Sequence, residues 1–286
     1  MSETKSREKI TVIDLPIAAL RSFEEHPYKV VDNEEMASLV DSIYNQGILT
    51  PITVRPLANG EYEIVSGHRR VFACKKLGIE KIPSFVKELT REEAIVIMTD
   101  SNLHRDGLLP SEKAFAYKMK RDALSHQGKT SPQVGEKLLT VEKVGLDAGD
   151  SKNQVLRYIR LTELITEILL MVDNGKIALT PAVELSYLTK QEQRDLLETM
   201  ESEDCTPSLS QAIQMKRLSQ SGELDMDRIF DILREPKGNQ IDKISFRTED
   251  LRKFFPKSYS AARIQETILK LLSDYQKKRQ RSREER

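Results

Sequence analysis

The sequence predicts an α+β domain followed by an all-helical domain and a small C-terminal segment that is helical or α/β. Strand-like and helix-like patterns alternate along the first third of the 286 residues, whereas strand patterns almost vanish beyond Pro110. Helix-breaking residues at 235–239 mark a linker region. We therefore expect domains at residues 1–109 and 110–221 and a C-terminal segment at 222–286.

Composition excludes several classes of protein. No segment approaches the roughly 18–20 apolar residues of a membrane span, and the polar first residues do not resemble a signal peptide. Two cysteines, Cys74 and Cys205, fit neither a disulfide framework nor a zinc site. We expect a cytoplasmic protein without a membrane partner. With 45 basic and 45 acidic residues, any nucleic-acid contact must rest on a local basic surface.

The first domain combines β-branched strands with capped helices. Strands are expected at residues 10–13, 52–55, 61–65 and 82–86. Asn59 and Gly60 predict a hairpin turn between two of these strands. Asn33 is a suitable N-cap for a first helix, Gly67 begins a second, and Thr90 starts a capping box for a third.

Beyond the first domain, apolar residues recur at helical spacing. Helices are expected at residues 111–125, around Val141, and at 151–172, 180–188, 190–200 and 208–218. After the linker, residues 243–246 predict a strand and residues 261–276 an amphipathic helix. Its apolar stripe fits either a dimer interface or packing on Phe246 and Phe254. The basic tail from Lys277 fits either a solvated helix end or DNA contact.

The segment at 141–159 has the pattern of a helix-turn-helix. This motif needs a small residue where its helices touch and a glycine in the turn, and Gly145 and Gly149 match these positions. Asp150 occupies a turn position that is more often apolar. The second helix carries the residues that we expect to contact DNA: Ser151, Lys152, Asn153, Gln154, Arg157 and Arg160. An ordinary helical hairpin with a polar surface is the alternative.

Two clusters in the first domain predict an anion site. Gly67 lies where a strand leads into a helix, so unpaired N–H groups can face a phosphate whose oxygens Arg69 and Arg70 bind. Further along, Asn102 can offer an oxygen to a hydrated metal, and the His104 and Arg105 that follow can meet phosphate. Solvated arginines and a helix-end histidine bonded to backbone are the alternatives.

The order of these motifs resembles the ParB partition family, in the versions found on plasmids and integrative mobile elements. The resemblance covers about residues 10–220 and rests on His26-Pro27, residues 47–55, Gly67–Arg70, residues 101–105, residues 109–112 and the helix-turn-helix. It implies a ParB/sulfiredoxin-like first domain that binds CTP and Mg²⁺. Carried onto this chain, the nucleotide contacts are Thr50, Pro51, Ile52, Gly67, His68, Arg69, Arg70, Asn102, His104 and Arg105. Asn102 also serves as the metal ligand.

The same resemblance implies partners and a location. They are double-stranded DNA with a near-palindromic, centromere-like site, a second copy of the chain, and a ParA-type ATPase. The protein is then a DNA clamp on nucleoid or plasmid. The segment before residue 10 lacks the family's usual Leu-Gly peptide, so an ATPase partner is implied by resemblance alone.

This chain departs from the family at three positions. His68 replaces a frequent Glu, Ser101 replaces another Glu, and Phe72 replaces an Arg. Losing two carboxylates near a metal–triphosphate weakens metal coordination and water activation. We therefore assign no catalytic residue and expect nucleotide binding with at most weak CTPase activity.

Other functions compete with partition. The same chain organisation suits a transcriptional or nucleoid-occlusion regulator. A nucleotide-dependent small-molecule kinase on the same fold would need Asp100 or Glu112 as general base. Sulfiredoxin chemistry would need a cysteine in the glycine motif, whereas Cys74 aligns with the apolar positions Val71 and Leu77.

Overall fold

The computed structural model describes residues 12–105, 107–126, 134–235, 251, 253–256 and 258–284. The chain forms two compact units, Met1–Glu235 and Pro236–Arg286. The first unit contains an α+β part and the helices that follow it, as the sequence predicts.

The α+β part is a five-stranded mixed sheet with three helices. The strands are β1 (Val12–Pro16), β2 (Leu20–Arg21), β3 (Ile52–Pro56), β4 (Tyr62–Ser66) and β5 (Lys81–Val86). Their order is β1-β5-β3-β4-β2, with β1–β5 and β3–β4 antiparallel and β3–β5 and β2–β4 parallel. The helices are α1 (Glu34–Gln46), α2 (His68–Lys76) and α3 (Arg91–Leu103).

Side-chain caps fix where these helices begin. The Asn33 side chain accepts a hydrogen bond from the Met36 N–H at 3.1 Å and so caps α1. The Thr90 hydroxyl accepts from the Glu93 N–H at 3.2 Å, and the Glu93 carboxylate accepts from the Thr90 N–H at 2.9 Å. These two bonds confirm the predicted capping box at the start of α3. The two-residue strand β2 is too short to show a periodic pattern and was not predicted.

Among the described residues of the first unit, eight helices follow. They are α4 (Pro110–His126), α5 (Val134–Ala148), α6 (Lys152–Leu161), α7 (Thr166–Asp173), α8 (Leu179–Leu185), α9 (Lys190–Ser202), α10 (Leu209–Ser221) and α11 (Met226–Arg234). The predicted helical stretch at 151–172 is two helices, because the chain leaves the helix at Thr162 and re-enters it after Ile165.

Three hydrophobic clusters make up the interior of this unit. One lies on the sheet and includes Ile52 and Ile82, both fully buried. Another joins α3 to the helices after it and includes Met98, Tyr117 and Val155. The third lies mainly among α7–α11 and also includes Ala114 of α4 and Leu161 of α6. The second cluster links the α+β part with the helix-turn-helix.

Helix α11 extends the helical part beyond the predicted boundary at 221. Asp225 caps it, and its Ile229 is fully buried in the third cluster. The side-chain nitrogen of Gln211 on α10 donates to the carbonyl of Ile232 at 2.7 Å. The second unit therefore begins near residue 236 instead of 222, because α11 packs its apolar face on α9 and α10 and so belongs to the first unit.

The second unit contains α12 (Ala261–Glu284). Ile264 is buried, whereas Leu271, Tyr275 and Phe254 are 60, 65 and 80% exposed. Phe254 is therefore not the internal partner of the stripe. The predicted strand at 243–246 and the side chains of the tail beyond Lys277 lie outside the described residues. No helix among the described residues is both long and apolar enough to span a membrane.

Candidate functional site

A cleft of about 630 Å³ opens at the start of α2, beside α1 and the end of α3. It is lined by His26, Tyr28, Lys29, Val30, Glu35, Ser38, Leu39, Ser66, Gly67, His68, Arg69, Arg70, Asn102 and Arg105. Most of its ionisable groups are basic, so an anion is the ligand that the lining favours.

Gly67 lines the cleft at the start of α2. It is the N-cap of α2 and has a φ of 107°, in the left-handed region that favours glycine. A Cβ built here would lie 2.5 Å from Cγ2 of the fully buried Ile52. The first N–H groups of a helix lack intrahelical acceptors, so those of α2 are available to an anion that approaches Gly67. The predicted anion geometry is therefore present.

Arg70 ties the cleft to the chain before β3. Its guanidinium donates hydrogen bonds to the carbonyls of Thr50 and Pro51, the latter at 2.8 Å. Burial lowers the pKa of Arg70 below its ordinary value. A second cavity of about 400 Å³ shares Arg70 and Leu39 with the cleft and is also lined by Thr50. Of the predicted residues, Thr50 lines this second cavity, whereas Pro51 offers only its carbonyl to Arg70 and the fully buried Ile52 lines neither cavity.

The other two predicted arginines meet at one carboxylate. Arg69 on α2 lies 3.3 Å from a carboxylate oxygen of Glu35, and Arg105 after α3 lies 3.5 Å from the same oxygen. Residues 69 and 105 are far apart in sequence, so the fold creates this cationic pair.

Two histidines stack in the cleft wall. The ring centroids of His26 and His68 are 3.8 Å apart. The Phe23 N–H donates to Nε2 of His68 at 3.5 Å, which places the proton of the neutral ring on Nδ1. Burial, and then the neighbouring His26, lower the pKa of His68 to about 3. Burial also lowers the pKa of His26. Both rings are neutral at pH 7 in this environment.

The later motif contributes Asn102 and Arg105 to the cleft. The Asn102 side-chain nitrogen donates to the carbonyl of Met98 at 2.8 Å and to the Ser101 hydroxyl at 3.2 Å. This arrangement presents the amide oxygen of Asn102 as its ligand-binding atom. His104 does not line the cleft; it is the exposed C-cap residue of α3. The structure therefore does not bring His104 to the predicted nucleotide site.

Several lining residues escaped prediction from sequence. Tyr28 and Lys29 follow the quoted His26-Pro27 pair but carry no pattern of their own. Glu35 has one sequence signal, its place in the first turn of α1, and an acid there ordinarily serves only to complement the helix dipole. Their shared location depends on long-range contacts.

The helix-turn-helix is formed by α5 and α6. A Cβ on Gly145 would lie 2.5 Å from the backbone oxygen of Asp150, so the predicted small residue is required by close backbone contact. Gly149 has a φ of 73° in the turn. The atypical Asp150 has a clear role, since its carboxylate accepts a hydrogen bond from the Tyr117 hydroxyl and lies 3.7 Å from Nζ of Lys113.

The predicted DNA-contacting residues divide into two groups. Ser151 caps α6 by accepting from the Gln154 N–H at 3.2 Å. Lys152, Asn153 and Gln154 occupy the first turn of α6, and none of them is buried. Arg157 is partly exposed and donates to the Thr180 hydroxyl at 2.7 Å. These residues form a polar surface at the start of the helix without an acid.

Arg160 belongs to the second group. Its guanidinium donates to the hydroxyl and the carbonyl of Ser186, at 3.1 and 2.8 Å, and lies 4.1 Å from the Tyr187 ring centroid. Arg160 therefore braces α6 against the end of α8. Its predicted place among the DNA contacts was based on helix spacing, which does not reveal these neighbours.

The chain is similar to several known proteins. Residues 1–103 match the family model of the ParB N-terminal domain. The chromosome-partitioning protein Spo0J of Thermus thermophilus is 34% identical over 182 residues, which cover 64% of this chain and 62% of that protein. The nucleoid occlusion protein of Geobacillus thermodenitrificans is 38% identical over 111 residues, covering 39% of this chain and 40% of that protein.

A solved structure is also similar. The C-terminally truncated chromosome-partitioning protein ParB from Caulobacter crescentus, complexed to the centromeric parS site, has 23% identity and a TM-score of 0.42. The match covers 78% of this chain and 100% of that one. The chain spans less than two thirds of the length of the two curated relatives named above. Residues 1–103 of this chain are therefore similar to the ParB N-terminal domain, and the similarity to chromosome-partitioning proteins extends over about two thirds of the chain.

Proposed function

We propose that this chain is a sequence-specific DNA-binding partition protein that binds CTP and acts as a clamp on DNA. One observation carries the proposal: a cationic cleft built around Gly67 and a helix-turn-helix with an acid-free polar surface occur in one compact unit. In this proposal residues 1–109 are the nucleotide domain and residues from 110 to α11 read DNA. Family resemblance supports CTP as the nucleotide and a near-palindromic site as the DNA.

The cleft suits the phosphates of a nucleotide. Gly67 and the first N–H groups of α2 meet one phosphate, and Arg69, Arg70 and Arg105 supply charge around it. The smaller cavity beside Thr50, with the apolar Leu39 in its wall, suits the base.

Magnesium fits this site as a companion of the nucleotide. Among the described residues no group of three or more His, Cys, Asp or Glu side chains could hold a metal ion. The Asn102 oxygen can join the ion's coordination shell, while the nucleotide phosphates and water supply most of its ligands. The ion then offsets phosphate charge, and the chain needs no metal cage of its own.

We propose binding with little hydrolysis. His68 follows Gly67 where the family usually has a carboxylate, and its neutral ring is packed on His26. The residue after Gly67 therefore supplies no carboxylate to orient water for attack, and the Glu35 carboxylate in the cleft is paired with Arg69 and Arg105. CTP turnover at a rate typical of the family, abolished by Arg70→Ala, would contradict this part of the proposal.

The DNA-binding part is tested by a double variant. Arg157→Ala with Gln154→Ala removes two side chains that can pair with base edges, so we expect site-specific affinity to fall at least tenfold, since each such contact is worth about 1–3 kcal/mol. Arg194 and Gln191 on α9 form a similar exposed pair, with Arg194 donating to the Gln191 oxygen at 3.2 Å. Replacing both by Ala provides the matched control, and affinity is measured by fluorescence anisotropy on a DNA site obtained by selection from a random pool.

Two outcomes of this experiment differ in meaning. Loss of site-specific affinity in the α6 variant alone supports DNA reading by that helix. Equal affinity of the α6 variant and the wild type would refute it.

Homodimerisation through α12 and a ParA-type ATPase partner belong to the same proposal. The exposed Leu271 and Tyr275 support the first, because a helix with an uncovered apolar stripe needs a partner surface. The second rests on family resemblance. Location on nucleoid or plasmid DNA follows from DNA binding.

A regulator that binds DNA without partitioning it is the second candidate. The similarity to a nucleoid occlusion protein over 111 residues favours it. A pull-down with a ParA-type ATPase separates the two, since nucleotide-dependent capture supports partition and its absence supports regulation.

The enzyme alternatives lose support in the structure. Asp100 lies 2.5 Å from Nζ of Lys120, and the Glu112 carboxylate accepts from the N–H groups of Lys29 and Leu109 at 2.8 and 3.1 Å. Both candidate kinase bases are thus engaged in structural contacts. Cys74 is fully buried, and burial raises the pKa of its thiol, which disfavours the thiolate that sulfiredoxin chemistry needs.

A further inference from the structure

Glu35 is the acidic side chain in the lining of the nucleotide cleft. It stands in the first turn of α1, yet its carboxylate reaches Arg69 at the start of α2 and Arg105 beyond α3. One carboxylate oxygen thus pairs with two guanidinium groups from separate elements. A phosphate bound at the start of α2 would need these same two groups.

An anion with more charge than a carboxylate can replace Glu35 in these two ion pairs. The Glu35 side chain is 66% exposed, and the side chains of Arg69 and Arg105 are 32 and 43% exposed. Ion pairs that are this exposed to solvent contribute little to stability. A phosphate carries more charge and more acceptor oxygens than a carboxylate, and arginine can bind it through two parallel N–H groups.

A metal-binding role for Glu35 fits the geometry less well. Two guanidinium groups lie within 3.3 and 3.5 Å of its oxygen, where they would repel a divalent cation.

We infer that Glu35 occupies the phosphate subsite of the free protein and is displaced when the nucleotide's phosphates bind Arg69 and Arg105. The inference rests on the proposed nucleotide binding and adds a residue that sets its strength. The carboxylate keeps the two arginines in place without ligand. It also weakens binding, because each nucleotide must replace it and then remain close to its negative charge.

The test is the affinity for CTP of the full chain and of its Glu35→Gln variant, measured by isothermal titration calorimetry with and without Mg²⁺. Gln keeps the shape of the side chain and removes its charge. We expect CTP to bind about three- to tenfold more tightly to the variant, the range given by losing two exposed ion pairs. The gain should occur in both conditions and be larger without Mg²⁺, when the phosphates carry more uncompensated charge.

Glu34→Gln is the matched control. Glu34 is the preceding residue in the same first turn of α1 and is exposed, so its loss changes the helix-end charge equally. We expect its affinity for CTP to stay within twofold of the wild type. Thermal melts of all three proteins establish that they are equally folded.

The possible results separate cleanly. A tighter Glu35→Gln with an unchanged Glu34→Gln supports the inference. Unchanged or weaker CTP binding by Glu35→Gln, including weakening only in Mg²⁺, overturns it while leaving the nucleotide site in place. If the folded wild type and both variants bind none of the four nucleoside triphosphates, the proposed function itself fails and the inference falls with it.

Discussion

At the scale of single residues, the cleft combines groups that sequence reveals with groups that it hides. Gly67, Arg69 and Arg70 are adjacent in the chain, so their joint suitability for an anion is visible in the sequence. Glu35 and Arg105 reach the same point only because α1 and α3 pack near α2, and no periodicity encodes that. His104 illustrates the opposite error, since adjacency to Arg105 placed it in the site although its side chain lies outside the cleft.

Burial of His68 predicts that the stability of the protein depends on pH. Its pKa falls from an ordinary 6.5 to about 3 in the folded protein. Below pH 6.5 the His68 side chain therefore binds a proton in the unfolded chain and stays neutral in the folded chain. His68 therefore costs no stability above pH 6.5, and the free energy of unfolding should decline progressively as pH falls toward 3. Between pH 7 and 5 the decline from this group is about 1–2 kcal/mol.

Urea unfolding across this pH range measures the effect. His68→Gln should flatten the pH dependence, whereas His104→Gln, at an exposed site, should leave it as in the wild type. Parallel curves for the wild type and His68→Gln would show that His68 is not held neutral by its burial.

At the scale of elements, most helices and their capped ends were predictable. The caps at Asn33 and Thr90 and the close contact at Gly145 are local patterns, and the structure has all three. The two-residue β2 is too short to show a pattern, whereas α11 was missed although its Asp225 cap and amphipathic spacing are local signals. The hydrogen bond of Arg160 to Ser186 at the end of α8 was not predicted, because helix spacing does not reveal that neighbour.

The exposed apolar stripe of helix α12 leads to a prediction about dimerisation. Leu271→Ser with Tyr275→Ser should convert the proposed dimer into a monomer with only a small loss of helix propensity, because both side chains are exposed within one chain. Lys270→Ser with Asp274→Ser has the same spacing on the same helix and also changes exposed residues, so it should leave the dimer intact. Light scattering after size-exclusion chromatography measures the mass, and a dimeric Leu271/Tyr275 variant would refute an interface on this stripe.

At the scale of the whole molecule, one buried cation joins the two halves of the first unit. Lys120 on α4 is fully buried, and its Nζ lies 2.5 Å from Asp100 at the end of α3 and 2.7 Å from Asp147 on α5. The contact connects the helix that carries Asn102 with the first helix of the helix-turn-helix. Sequence predicted both parts but not this connection, since the three residues lie on separate helices.

Because Lys120 is buried, replacing its two acidic partners should lower the free energy of unfolding more than replacing Lys120 itself. Asp100→Asn with Asp147→Asn leaves a buried ammonium group without its counter-charges and should lower the free energy of unfolding by about 3–5 kcal/mol. Lys120→Met fills a similar volume and leaves two carboxylates that are 47 and 40% exposed and can be solvated, so it should cost less. Chemical denaturation at pH 7 ranks the two variants, and the reverse order would contradict the described contact.

The central claim, that one chain couples a nucleotide cleft to sequence-specific DNA binding, is tested most directly by selecting bound DNA from a random pool. The selection is run with the full chain and each of the four nucleoside triphosphates in turn. The claim predicts one enriched, near-palindromic sequence, with CTP alone changing how much of it remains bound. Absence of any enriched sequence under all conditions, or an enrichment that no nucleotide alters, would contradict it.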